Sequence, residues 1–162
     1  MALTANIGSQ HAAKYGEIQT YPVAAGVHIY RFATVVLHGA GTHEGYAAPA
    51  TDDTADTLKQ LVVGIAQEER DNSASSTDGV DSTGKIILVR VRQEGRVRRS
   101  FPSNTVTCVG KLACVADDET VQLYDAAKTK VVVGRITERI DEQNVFVKFD
   151  DRPTRLAVGA ND

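Results

Sequence analysis

Tryptophan is absent from this chain of 162 residues, and aromatic residues make up only 6% of it. Hydrophobic residues still reach an ordinary 42%, so the interior has to be filled mainly with Val, Ile, Leu and Ala. The two cysteines are too few for the disulfide framework of a small secreted scaffold, and a cysteine-based zinc site would need a second pair. We therefore expect Cys108 and Cys114 to be buried thiols in or near strands.

Long apolar runs are also absent, and none approaches the ~20 residues that a membrane helix needs. The first residues lack the charged-then-apolar order of a signal peptide. These features predict a protein without membrane association that is made in the cytoplasm and stays there or is packaged from there. The formal net charge of −3 argues against a protein that binds nucleic acid over its whole surface.

Recognisable catalytic motifs are missing as well. There is no G-x-S-x-G nucleophile motif, no dinucleotide-binding glycine pattern and no phosphate loop followed by Lys-Ser/Thr. Single histidines and acidic pairs in polar turns are usually solvated or hydrogen-bonded groups. We therefore predict no enzyme, no metal and no cofactor, after weighing His11, His28, His38, His43 and the pairs Asp52-Asp53, Asp117-Asp118 and Asp150-Asp151.

Strand patterns dominate what remains. Residues 1–26 show no lasting period and predict an extended N-terminal arm. From residue 27 to 150, short β-branched runs separated by Gly, Pro, Asp and Ser predict one all-β domain, a compact β-barrel or β-sandwich. Residues 151–162 are left as a C-terminal tail.

An internal similarity suggests that this domain uses one strand unit twice, at about residues 33–92 and 111–149. A four-strand unit alone has two bare edges and half a core, whereas two units can pair. Glycines in matching Val-Val-Gly segments predict a bulge or a sharp bend at each. The alternative is a coincidence between two Val-rich strands. The recurring residues are Val62, Val63, Gly64, Glu68 and Asp71, matched by Val132, Val133, Gly134, Glu138 and Asp141.

One charged segment has a regular pattern. Arginines alternate with Val89, Val91 and Val97 on both sides of Gln93-Glu94-Gly95, which predicts a hairpin with one basic face. This face could be solvated with local ion pairs, dock on an acidic protein surface, or bind single-stranded nucleic acid if aromatic rings lay nearby. Only Phe101 is near in sequence. The candidates for the basic face are Arg90, Arg92, Arg96 and Arg98.

Several segments resemble small structural proteins encoded in the head gene clusters of tailed bacteriophages. The resemblance covers about residues 1–150, and no residue in it is chemically diagnostic. The segments are Met1-Ala-Leu-Thr-Ala-Asn6, Tyr15-Gly-Glu-Ile-Gln-Thr-Tyr-Pro-Val-Ala-Ala-Gly-Val27, Tyr46-Ala-Ala-Pro-Ala50, Val63-Gly-Ile-Ala-Gln-Glu68, Asp71-Asn-Ser73, Lys111-Leu-Ala-Cys-Val-Ala-Asp-Asp-Glu-Thr-Val121 and Val133-Gly-Arg-Ile136.

The resemblance implies a capsid decoration protein, also called a cement or head-stabilising protein. Such a protein has a compact, β-tulip-like domain with an extended arm. It binds the outer surface of the expanded capsid as a homotrimer at three-fold positions and clamps neighbouring major capsid subunits. The expected location is the capsid exterior of the virion, after assembly in the host cytoplasm. Arm residues predicted to contact the capsid are Tyr15, Ile18, Tyr21, Pro22 and Val23.

Two other functions stay open at this point. A phage tail-tube or head-tail connector protein would assemble into rings or polymers instead of trimers. A single-stranded nucleic-acid-binding β-barrel would use the arginine segment, although nucleic acid is the less favoured partner.

Overall fold

The computed structural model describes residues 18–53, 55, 57–125 and 131–149, and its regular structure is almost entirely β. The predicted all-β class is confirmed, and the sheets form a sandwich-like body instead of one closed barrel. Within these residues, no helix is long and apolar enough to span a membrane. The strands are β1 (Ile18–Pro22), β2 (His28–Ile29), β3 (Thr34–Leu37), β4 (Ala47–Pro49), β5 (Leu61–Ala66), β6 (Arg70–Asp71), β7 (Leu88–Arg92), β8 (Gly95–Ser100), β9 (Leu112–Val115), β10 (Val121–Leu123), β11 (Val132–Arg139) and β12 (Asn144–Phe149), with a 3₁₀ turn at Val106–Cys108 before β9.

Two five-stranded antiparallel sheets form the body, and they have the same strand order. The first runs β1-β7-β5-β3-β4, and the second, taken from its matching edge, runs β8-β12-β11-β9-β10. The unit predicted at 33–92 supplies four strands of the first sheet, and the unit at 111–149 supplies four strands of the second. The fifth strand of each sheet, β1 or β8, comes before the predicted unit in the chain.

The interior is built from small aliphatic side chains in two clusters. One cluster lies against the first sheet and centres on Val35, Val89 and Val91. The other joins the two sheets, because Val36 and Val62 of the first pack with residues of the second. Both cysteines are buried, as predicted, Cys108 in the 3₁₀ turn and Cys114 in β9. The residues of the joining cluster are Val36, Ala48, Ala50, Val62, Cys108, Ala113, Val115, Val121, Val131, Val133, Ile136, Val145 and Val147.

Gly64 and Gly134 lie at matching bulges in the middle strands β5 and β11, which confirms the predicted irregularities. A Cβ on Gly64 would overlap the carbonyl oxygen of Arg92, and a Cβ on Gly134 would overlap that of Lys148. Gly64 also has φ +139°, a conformation that side chains of L residues rarely adopt. Both sites therefore require glycine because two backbones come very close there.

The turns that lead into β3 and β9 also match. Phe32 has φ +70° and donates its N–H to the carbonyl of Ala66 at 2.9 Å. Gly110 has φ +87° and donates its N–H to the carbonyl of Ile136 at 2.8 Å. Glycine adopts this left-handed backbone without strain, whereas phenylalanine does not. Phe32 thus occupies a position that the second half of the molecule fills with glycine.

The predicted arm of residues 1–26 needs correction for its described part, residues 18–26. Ile18–Pro22 forms β1, which pairs with β7 over five residue pairs. Val23 and Ala24 are fully buried, so Val23 is a core residue and does not face a partner. Backbone pairing of a short edge strand leaves little apolar pattern in the sequence, which explains the error. Residues 1–17, including Tyr15, and the tail 151–162 lie outside the described residues.

The predicted arginine hairpin is wrong. β7 pairs with β1 and β5 in the first sheet, whereas β8 pairs with β12 in the second. The segment Gln93-Glu94 therefore carries the chain from one sheet to the other instead of turning it back. Each strand finds its register with strands distant in sequence, and this tertiary pairing overrides the local turn signal.

Alanine at Gly64 or Gly134 is expected to destabilise the fold by about 3 kcal/mol or more, because the new Cβ overlaps a backbone oxygen that cannot move alone. Gly26→Ala is the matched control, since Gly26 has φ +74° and open space around it. That control isolates the conformational strain, which is worth about 1 kcal/mol. Urea unfolding of the three variants measures the difference, and equal costs would contradict the close-approach explanation.

Candidate interaction surface

The four arginines of the predicted basic face divide between the two sheets. On β7, Arg90 forms an ion pair with Glu68 at 3.3 Å. On β8, Arg96 forms an ion pair with Glu138 at 2.7 Å, and its guanidinium lies 4.9 Å from the ring centre of Phe146. The structure therefore does not bring all four into one basic patch, and local ion pairs use part of their charge.

Two of these arginines have no ion pair within the described part of the chain. Arg92 is exposed at the end of β7. Arg98, on β8, donates from Nε to Asn144 Oδ1 at 3.2 Å. Arg98 and the paired Arg96 belong to the same strand, and that strand borders the cleft described below.

The predicted capsid-contact residues lie in different environments. Ile18 is 42% exposed at the start of β1, and Pro22 is half-buried at its end. The hydroxyl of Tyr21 accepts a hydrogen bond from Gln93 Nε2 at 2.9 Å, and burial raises the pKa of this tyrosine. Ile18 is therefore the most accessible of the described candidates.

A cleft of about 790 Å³ lies between the segment Tyr30–Ala33 and the strand β8. This volume falls within the range of about 300–1,000 Å³ that is usual for ligand sites. Asp118 and Glu119, from the turn between β9 and β10, and Asn144 of β12 complete the lining. The cleft thus lies where the two halves of the molecule meet.

Arg99 connects the two walls of this cleft and is only 3% exposed. Its Nη2 donates to the carbonyl of Phe32 at 2.8 Å and to Thr34 Oγ1 at 2.9 Å. Burial lowers the pKa of Arg99 to about 10, and the acidic side chains of residues 117–119 partly oppose that shift. The guanidinium therefore stays charged at neutral pH and ties β8 to the turn before β3.

The acidic side of the cleft is also partly buried. Burial and the neighbouring carboxylate of Asp117 raise the pKa of Asp118. The carbonyl of Asp118 accepts a hydrogen bond from the Thr34 amide at 2.7 Å. The acidic side chains of this loop therefore partly balance the positive charge of Arg99. The backbone bond between Asp118 and Thr34 helps to hold the two sheets together.

Two aromatic rings stand on the opposite wall, and both are more than half exposed, Tyr30 at 57% and Phe32 at 53%. Tyr30 stacks on His28 with ring centres 4.1 Å apart. The guanidinium of Arg31 lies 4.8 Å from the ring centre of Phe32. Aromatic and arginine side chains held in this way are typical of protein interfaces and of single-strand nucleic-acid sites.

Sequence patterns did not identify Tyr30, Arg31 and Phe32 as surface groups. Residues 27–32 alternate in the manner of a strand, but only His28–Ile29 is one. The positive φ of Phe32 turns the chain there, and no residue-type signal announces it. The match between Phe32 and Gly110 is the one clue in the sequence. It appears only when the repeat is extended to the two residues before Thr34 and Leu112.

Most of the other described groups considered for chemistry have structural partners, but Nδ1 of His38 is buried without a hydrogen-bond partner. Nε2 of His28 lies 2.7 Å from Glu69 Oε1, and Nδ1 of His43 lies 2.7 Å from Asp78 Oδ1. Asp53 is buried and accepts hydrogen bonds from the amides of Thr57 and Leu58, which corrects its expected solvation. Among the described residues, no group of three or more His, Cys, Asp or Glu side chains could hold a metal ion.

Comparisons with known proteins give one structural likeness. No protein-family model matches the chain, and no curated protein matches it. Its structure is similar to the N base of the head fiber gp8.5 in bacteriophage phi29, with 13% sequence identity and a TM-score of 0.46, over 86% of this chain and 98% of that one. A likeness at this level assigns neither family nor function, so the proposals below are drawn from the chain itself.

Arg99→Met is expected to lower the free energy of unfolding by about 1–3 kcal/mol, because the carbonyl of Phe32 and the hydroxyl of Thr34 lose buried donors. Arg92→Met, at an exposed arginine, serves as the control and should stay within about 0.5 kcal/mol of the parent protein. Chemical denaturation of both variants provides the measurement. Equal stabilities would show that Arg99 does not connect the two sheets.

Proposed function

We propose that this chain is a capsid decoration protein that binds the outer surface of a phage head and cements neighbouring major capsid subunits. The observation that carries the proposal is the exposed pair Tyr30 and Phe32 on a wall that the buried Arg99 fixes to the second sheet. Exposed aromatic groups on a fixed backbone suit a binding surface, because little entropy is lost when they are covered. The sequence segments that resemble phage head proteins support the same function.

A structural role without catalysis agrees with the rest of the described chain. His43 and Asp53 are engaged in hydrogen bonds with neighbouring loops, and the two sheets share an aliphatic core. A homotrimer at a three-fold position would bridge several subunits with contacts that must break together. Such a device resists the separation of subunits without any chemical step.

The edge of the first sheet offers a second contact in this proposal. β1 has a partner strand on one side only, and Ile18, Tyr21 and Pro22 lie along it. This edge would lie along a capsid subunit. Val23 is excluded from the contact because it is buried inside the protein.

Ile18→Asp is expected to weaken binding to expanded, undecorated heads by about tenfold or more, since it places a charge in an apolar contact. Val106→Asp is the matched control, because Val106 is 70% exposed and lies in the 3₁₀ turn before β9, away from β1 in sequence and in pairing. Co-sedimentation with heads measures binding, and light scattering gives the mass of the free protein. Saturation at the number of three-fold sites supports the proposal, whereas rings or tubes without head binding would favour a tail-tube or connector protein.

Single-stranded nucleic acid is the second candidate, and one observation favours it. Tyr30 and Phe32 lie across the cleft from Arg96 and Arg98, which supplies the aromatic rings that the sequence did not place near the arginines. Asp118 and Glu119 line the same cleft and would repel phosphates. This function predicts that an oligothymidylate binds and that the affinity falls steeply as salt rises. Fluorescence anisotropy at two salt concentrations tests it, and binding that is absent at low salt would exclude it.

A further inference from the structure

The strand β8 has an outer backbone edge on the side away from β12, where the Arg98 carbonyl accepts one hydrogen bond from Arg99 Nη1 at 3.1 Å. β8 is the outer strand of its sheet and pairs only with β12 in the sheet order. The Ser100 amide points away from β12, because it donates to the carbonyl of Glu119 at 3.2 Å. In an antiparallel ladder, every second residue directs its backbone groups to the same side. Arg96 and Arg98 therefore direct their amides and carbonyls away from β12.

Phe32, on the opposite wall, has a strained backbone conformation whose cost is not offset by burial of its side chain. Phe32 has φ +70°, whereas the matching residue of the second half is Gly110. A bulky residue in this region costs about 1–3 kcal/mol, and more than half of its side chain stays in solvent. A strained, exposed aromatic group is therefore better explained by an external ligand than by the fold.

The charges around the cleft leave two guanidinium groups available. Arg96 is paired with Glu138, and the charge of Arg99 is answered by the acidic residues of the 117–119 turn. Arg31 and Arg98 are exposed and form no direct ion pair with any described residue, although the charge of Arg98 contributes to lowering the pKa of Asp141. Exposed arginines next to an aromatic ring and a strand edge favour a ligand with carboxylates and an extended backbone.

We propose that this cleft binds an extended acidic segment of a partner protein, which adds as a strand to the free edge of β8. Backbone groups of Arg96 and Arg98 bond the segment, its carboxylates meet Arg31 and Arg98, and its apolar side chains cover Phe32 and Tyr30. Under the proposed function, on which this inference rests for the identity of the partner, a major capsid subunit supplies the segment. Asp118 and Glu119 repel carboxylates as well as phosphates, so the preference for a protein segment comes from the strand edge of β8, which a phosphate chain cannot extend.

The first test uses the full chain, labelled for NMR, and a capped synthetic peptide of alternating valine and aspartate. Amide shifts at Arg96 and Arg98 and ring shifts at Phe32 are expected, and they should be absent with the matched valine-lysine peptide. Phe32→Gly should weaken the peptide about tenfold or more while the protein stays folded, because glycine suits this backbone. Equal responses to both peptides, or shifts that map elsewhere, would overturn the proposal.

A second pair of variants tests strand addition directly. Arg98→Ala removes the side chain and keeps the amide, whereas Arg98→Pro removes both, and the amide of this residue does not pair with β12. A further loss of peptide affinity in the proline variant, beyond that of the alanine variant, supports a backbone bond to the ligand. Equal affinities in two folded variants would rule out strand addition at this residue.

Head binding separates this inference from the proposed function. If the parent protein binds heads and Phe32→Gly binds them about tenfold more weakly, both stand. If Phe32→Gly and the parent bind heads equally, the cleft proposal fails while the decoration function remains. If neither binds heads but the valine-aspartate peptide still shifts β8, the decoration function fails and the acidic-segment site remains. An oligothymidylate that shifts β8 when the acidic peptide does not would assign the cleft to nucleic acid instead.

Discussion

The close approach of two backbones in each half of the molecule shapes the rest of the structure. At Gly64 the strand β5 nearly touches the end of β7, and at Gly134 the strand β11 nearly touches the end of β12. A bulge at this point bends the middle strand and increases its twist. The outer strands of each sheet then come together at their ends, through a bridge between Val23 and Ala47 in the first sheet and between Ser100 and Thr120 in the second.

This tight coiling also explains the composition. Strands that bend at such bulges leave only narrow space between them, and the buried positions along β3, β4 and β9 are held by Ala, Val, Thr34 and Cys114. A ring as large as tryptophan would not fit there without moving the backbone, since interiors are packed as densely as organic crystals. The absence of tryptophan is therefore consistent with a core made of small side chains.

The two halves match in strand order, in bulges and in the turns before β3 and β9, so their differences are informative. The turn before β3 has Tyr30, Arg31 and Phe32, whereas the turn before β9 has Cys108, Val109 and Gly110. In the second half, the guanidinium of Arg135 donates to the carbonyl of Gly110, much as Arg99 does to the carbonyl of Phe32. In both halves an arginine side chain therefore donates to the backbone of this turn, but only the first half has an aromatic side chain there. The aromatic surface feature is thus specific to the first half.

The sequence was sufficient for the β class, the buried aliphatic positions and the bulges, because these depend on residue type and local pattern. Valine-rich runs and the recurring Val-Val-Gly segments carried that information. The partners of β1 and β8 were not predictable, since they are set by backbone contacts between strands distant in the chain. The candidate site was missed for the same reason, because Tyr30 and Phe32 meet Arg96 and Arg98 only after the two sheets have packed together.

An unpaired strand edge usually makes a protein prone to aggregation, because a second copy can add to it as a further strand. On β8 this edge carries Arg96 and Arg98, so two copies paired through it would bring like charges together. These arginines attract an acidic segment instead of repelling it. Exposed ion pairs contribute only about 0–1 kcal/mol each, so the backbone bonds and the covered ring of Phe32 would supply most of the affinity. One such site is weak by itself, and a symmetric assembly that engages several sites at once makes the binding strong.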